Sequence, residues 1–105
     1  MMTIQLNADK SLTIHHEYEE KIKGQLNEGL SRYSDLITRL EVHLSDENGS
    51  KDGLDDKRCL LEARITGKDP IAVTNMGNTY DLALNGALTK LKSTLEKVAG
   101  KLKSH

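Results

Sequence analysis

The sequence predicts an α+β fold of order βαβββα: a four-stranded sheet with two helices packed on one face. Three observations carry that prediction. The stretch Arg58-Cys59-Leu60-Leu61-Glu62-Ala63-Arg64-Ile65-Thr66 alternates, with Cys59, Leu61, Ala63 and Ile65 on one side and Arg58, Glu62 and Arg64 on the other, as a half-buried strand requires. Two other stretches space their apolar residues by threes and fours, the period of a helix. The chain also ends on the second of these, whereas a ferredoxin-like fold would want one more strand. Each helix then has one apolar stripe and the sheet one apolar side, so the helices share that side.

The elements follow in order. Thr3-Ile4-Gln5-Leu6-Asn7 is a short first strand with Ile4 and Leu6 inward, ended by the polar Ala8-Asp9-Lys10-Ser11. From about His15 the period becomes helical, with Ile14, Tyr18, Ile22, Leu26, Leu30 and Tyr33 along one face and a stop expected at Tyr33-Ser34-Asp35. Gly24 and Gly29 each cost about 1 kcal/mol against Ala inside a helix, so this helix must lean on packing. The second strand runs near Ile37 to Ser45, with Leu40, Val42 and Leu44 inward. Asp46 to Lys57 is a polar hairpin loop with five acids against two lysines. After the third strand, Gly67-Lys68-Asp69-Pro70 is a turn, and Ile71-Ala72-Val73 begins a short fourth strand that Asn75 to Thr79 closes. Asn78 or Thr79 is positioned to cap the last helix. In that helix Tyr80, Ala83, Leu84, Ala87, Leu88, Leu91, Leu95, Val98 and Leu102 form the apolar stripe.

The whole reads as one domain over residues 1–105, long enough to bury a core. That core must be aliphatic, because the chain has no Trp, no Phe and three Tyr. One Cys excludes an internal disulfide and fits a reducing compartment. No apolar run approaches a membrane span, and no export signal precedes the first strand, so a cytoplasmic protein is expected. The net charge of −1 is unlike that of a strongly basic nucleic-acid binder. Its distribution is uneven, however: from Thr79 to His105 five lysines stand against Asp81 and Glu96. Lys90, Lys97 and Lys101 line one flank of the apolar stripe, and Lys92 and Lys103 line the other. Such a row of cations on a rigid helix suits phosphate contacts; lysines near a helix C-terminus also simply favour the macrodipole. Lys21, Lys23 and Arg32 are weaker candidates, since Glu17, Glu19, Glu20 and Glu28 share their helix. Arg39 and Arg64, on the open sheet face with Gln5, Glu41, His43 and Glu62, could reach RNA or pair with Glu41 and Glu62 across strands.

These residues resemble a known family. The βαβββα order, Ile37-Thr38-Arg39-Leu40-Glu41-Val42-His43-Leu44, the third strand, and Tyr80 to Leu91 with Leu95, Lys97, Lys101 and Leu102 are similar to the ribosome hibernation-promoting factor / ribosome-associated inhibitor family in its short form. The resemblance spans essentially the whole chain and rests on order and spacing rather than one motif. It departs from the pattern at Met76, where a polar or basic turn is usual, and in the length of the acidic loop. The resemblance implies a cytoplasmic protein that binds the small ribosomal subunit, contacts its ribosomal RNA and occludes the messenger and transfer RNA channel in stationary phase or stress. No cofactor, metal, membrane or small-molecule substrate is expected, and a monomer is expected when free. The alternative is a protein-interaction module of the same fold, without ribosome affinity, that binds a partner through the mixed-charge sheet face.

Other chemistries find little footing. Base stacking on the sheet needs aromatics on its open strands, and none is there. A calcium loop starting at Asp46 needs Gly at its sixth position, where Lys51 stands. Cys59 and His43 fall on opposite faces by strand parity and cannot act as nucleophile and base. His15-His16 has no partner of metal-ligand spacing. No enzymatic activity is expected.

Overall fold

A computed structural model describes residues 3–8, 16–46 and 57–103, the side chains of 101–103 excepted. Within them the order is β1 (Thr3–Ala8), α1 (His16–Gly29), a 3-10 turn (Ser31–Tyr33), β2 (Ile37–Asp46), β3 (Lys57–Ile65), β4 (Ile71–Gly77) and α2 (Tyr80–Lys103). The sheet has order β1-β2-β3-β4, with β1 parallel to β2 and the other pairs antiparallel. This is the predicted α+β, βαβββα fold. The buried residues make one cluster: Ile22, Leu26 and Leu30 after β1, Leu40, Val42, Leu44, Cys59, Leu61, Ala63 and Ile65 from the sheet, and Ala83, Leu84, Ala87, Leu91 and Leu95 from α2. Ile4 and Leu6, opposite Leu40 and Val42, pack partly buried against it. Each buried aliphatic side chain of this size contributes about 1.5–3 kcal/mol of transfer free energy.

Four boundaries differ from the sequence reading, each for a local reason. First, α1 ends at Gly29, before the expected stop at Tyr33-Ser34-Asp35. Leu30 N–H still donates to Leu26 O (2.9 Å), but Tyr33 N–H then reaches back only to Leu30 O (2.9 Å), tightening the chain into a 3-10 turn. Gly29 sits where a Cβ would come 2.9 Å from Leu88 Cδ2, so it lets the end of α1 approach α2. Second, Thr38 is an extra residue on β2, since Ile37 pairs with Ile65 while Arg39 pairs with Arg64. The bulge resets parity, which is how Ile37 and Leu40 are both buried. Third, the hairpin connection is shorter than 46–57: Asp46 and Lys57 are themselves a strand pair, joined by a 3.1 Å ion pair. Residues 47–56, and with them the rejected calcium loop, lie outside the described residues, as do Ile14 and His15. Fourth, β4 runs through Gly77, so Asn75, Met76 and Gly77, expected to close the strand, are part of it.

The turns follow the sequence more closely. Gly67 adopts φ 71° at the third position of a turn closed by Lys68 N–H to Ile65 O, a geometry that favours glycine. Thr79, not Asn78, supplies the cap of α2: its Oγ1 accepts from Leu82 N–H at 3.1 Å. No helix among the described residues is long and apolar enough to cross a membrane.

Candidate nucleic-acid interface

The sequence nominates ten cations, and the structure sorts them by what stands next to each. On α1, Lys21 Nζ lies 3.7 Å from Asp81 of α2, and Lys23 Nζ lies 3.9 Å from Glu19 one turn back. Asp81 also accepts the Tyr18 hydroxyl at 3.0 Å, so this carboxylate ties the beginning of α1 to the beginning of α2. Both α1 lysines thus face acids that offset them.

The open sheet face is neutralised too, in a way that differs from simple cross-strand pairing. Register sets Arg39 opposite Arg64 and Glu41 opposite Glu62, like facing like, which is unfavourable by itself. Relief comes diagonally and along the strands. Arg64 Nε reaches Glu41 at 3.6 Å, Arg64 Nη2 reaches Glu62 at 3.6 Å, and Arg39 Nε and His43 Nε2 each reach Glu41 at 3.4 Å. Glu41 therefore sits at the hub of the group, less exposed than the basic groups around it.

On α2 the balance is different. Among the described residues no carboxylate comes within ion-pair distance of Lys90, Lys92 or Lys97, and all three are exposed. Lys90 Nζ donates to the Thr74 carbonyl of β4 at 2.9 Å, which fixes its ammonium at the sheet edge and leaves two of its three protons for other acceptors. Lys97, seven residues on, returns to the same flank of the helix. Lys92 faces the other way, into a groove of about 470 Å³ between the end of α1 and α2, lined also by Gln25, Glu28, Arg32, Tyr33 and Leu88. Arg32 lies over the Tyr33 ring at 5.7 Å, so the groove holds two cations and one acid. Lys101 and Lys103 continue the two flanks along the helix backbone, their side chains outside the described residues.

Nothing comparable points to catalysis. Burial pushes the Cys59 thiol up to about 12, away from thiolate chemistry. His43 stands on the opposite face of the sheet, as its strand parity requires. His16 does have partners, contrary to the sequence reading: it lies 4.0 Å from Glu20 one turn on and close to Glu19, an exposed helical surface whose Glu19 also serves Lys23. Sequence reasoning missed the meeting of Arg32 with Lys92, because two helices sixty residues apart in the chain share that groove.

Among the described residues, the lysines of α1 and the arginines of the open sheet face are offset by acids, whereas Lys90, Lys92 and Lys97 of α2 are not. The model of the family described as sigma 54 modulation protein / S30EA ribosomal protein matches residues 8–103, and the chain belongs to that family. Its fold is similar to that of a ribosomal subunit interface protein from Coxiella burnetii, with 16% identity and a TM-score of 0.76 over 94% of this chain and 99% of that one. It is also similar to the N-terminal domain of Protein Y from Thermus thermophilus, with 18% identity and a TM-score of 0.73 over 92% and 99%. No curated protein sequence matches the chain.

Proposed function

We propose that this protein binds the ribosome and silences it by steric occlusion, with the lysines of α2 contacting phosphates of small-subunit ribosomal RNA across the messenger and transfer RNA channel. The observation that carries this reading is the unpaired state of Lys92 and Lys97 on a rigid helix, beside Arg32, while Lys21, Lys23, Arg39 and Arg64 are matched by acids. Membership of a family described by a ribosomal protein supports the choice of polyanion. Each phosphate such a cation neutralises releases a counterion. The sheet face, being self-neutralised, contributes shape rather than charge. No catalytic step is involved, and the site of action is the cytoplasm, as a monomer acting during growth arrest.

Co-sedimentation tests it. The protein should travel with the small subunit on a low-salt sucrose gradient and leave it at high salt. Lys92→Glu/Lys97→Glu should stay at the top with an unchanged melting temperature. A wild-type protein that remains at the top at low salt would sink the proposal. A second reading draws on the mixed-charge network centred on Glu41: a protein partner docks on the open sheet face. It predicts a pull-down that resists RNase and is lost with Arg39→Ala or Arg64→Ala.

A further inference from the structure

The edge of β4 goes beyond the ribosome reading. Thr38 Oγ1 donates to Arg64 O, and Thr66 N–H donates to Leu36 O. Even-numbered residues of β3 therefore turn their amides toward β2, and the odd-numbered ones serve β4. In the β3–β4 register the odd residues meet Ile71, Val73, Asn75 and Gly77. Ala72, Thr74 and Met76 are left with amides directed outward, along the free edge of the sheet. An edge of this kind is a template for another strand unless something blunts it. β4 carries none of the usual devices on its own: Ile71-Ala72-Val73-Thr74-Asn75-Met76-Gly77 has no charge and no proline, and its register to β3 is unbroken.

The blunting comes from elsewhere. Lys90 of α2 donates to Thr74 O at 2.9 Å, and Asn75 Nδ2 donates to Met76 O at 3.1 Å, so two of the three outward carbonyls are occupied by side chains. Asn75 is itself fixed by α2, donating to Ala83 O at 3.4 Å and lying so close to Gly86 that no Cβ fits there.

We propose that Lys90, helped by Asn75, is an edge guard, and that the strand it keeps out is β4 of a second copy of this chain. The edge is self-complementary. Antiparallel pairing about a two-fold axis at Thr74 sets Thr74 against Thr74 and Ala72 against Met76, joining the apolar side chain of Met76, which is 39% exposed, to the small Ala72 of the other copy. Lys90 caps the carbonyl at that axis, so the dimer would bring two ammonium groups together there. The guard thus acts twice, by occupying an acceptor and by repulsion between copies.

Sedimentation velocity over a range of concentrations, without ribosomes, tests this separately from the ribosome reading. Lys90→Met should dimerise at least about tenfold more tightly than wild type, since each two-fold contact frees two carbonyls for hydrogen bonds. Lys90→Arg, which keeps donor and charge, should behave as wild type. Adding Ala72→Pro to Lys90→Met should restore the monomer, because proline removes an outward N–H while leaving the bonds to β3 intact. A Lys90→Met protein no more associated than wild type would overturn the proposal. So would a Lys90→Met dimer that Ala72→Pro leaves unchanged, since its interface would not be β4.

Discussion

Tyr18 and Cys59 record how the core treats ionisable groups. Burial first, then the hydrogen bond to Asp81 and that carboxylate's charge, push the Tyr18 phenol from 10.0 up to about 12. Burial alone pushes Cys59 from 9.0 up to about 12. Each group is neutral when folded at a pH where the unfolded chain has begun to ionise, so its contribution is complete below the unfolded value and lost as pH rises toward the folded one. Urea midpoints should therefore fall between pH 9 and 12. Tyr18→Phe should cost about 1 kcal/mol at neutral pH, the worth of one hydrogen bond, and should make the alkaline fall shallower. An alkaline fall identical in Tyr18→Phe would contradict this assignment. Glycines give a second test at the same scale. A Cβ at Gly24 meets nothing within 4 Å, so Gly24→Ala should raise the melting temperature, by about 4–8 °C for a gain near 1 kcal/mol. Gly86→Ala gains the same helix propensity but drives its methyl into the Asn75 amide, and should lower it. Equal shifts in the two variants would refute that difference.

The elements are largely legible in the sequence because two periods, two and roughly 3.6, separate strands from helices; β2 and β3 bury the residues that the period selects, and β1 and β4 half-bury theirs. Where structure and periodicity part, the cause is a detail that periodicity does not encode. The Thr38 bulge shifts parity by one residue, so Ile37 is buried where strict alternation from Leu40 would expose it. The end of α1 depends on how closely Gly29 approaches Leu88 of α2, a tertiary fact. The candidate interface is legible only in part. The Glu19–Lys23 pair obeys the i,i+4 rule and can be foreseen. The Lys21–Asp81 pair joins residues sixty apart, and the Lys90–Thr74 bond runs from a helix to a strand edge. Arg39 facing Arg64 is set by register, and composition is silent about register. At this scale, Arg39→Ala/Arg64→Ala should leave affinity for the small subunit within about threefold, because those guanidiniums already serve Glu41 and Glu62. A larger loss, measured by filter binding, would move the RNA contact onto the sheet.

At the scale of the molecule, a net charge of −1 hides an unequal arrangement. Glu19 on α1 and Glu41, Glu62 and Asp46 on the sheet are engaged with nearby cations, and α2 from Tyr80 to Lys103 keeps five lysines against Asp81 and Glu96. Asp81 lies in the first turn of α2, where it suits the helix dipole and holds Tyr18 and Lys21, so it is spatially apart from the lysines of the later turns. In the proposed reading α2 steers the protein to a polyanion, even though residues 1–78 carry ten Lys and Arg against fourteen Asp and Glu. The most direct measurement is the salt dependence of binding to isolated small subunits. Plotted as log K against log salt, the wild-type slope should be steep and negative, and Lys92→Gln/Lys97→Gln should make it shallower by about 2, roughly one unit for each phosphate no longer neutralised. An unchanged slope, or wild-type binding indifferent to salt, would contradict the claim that the helix holds the RNA.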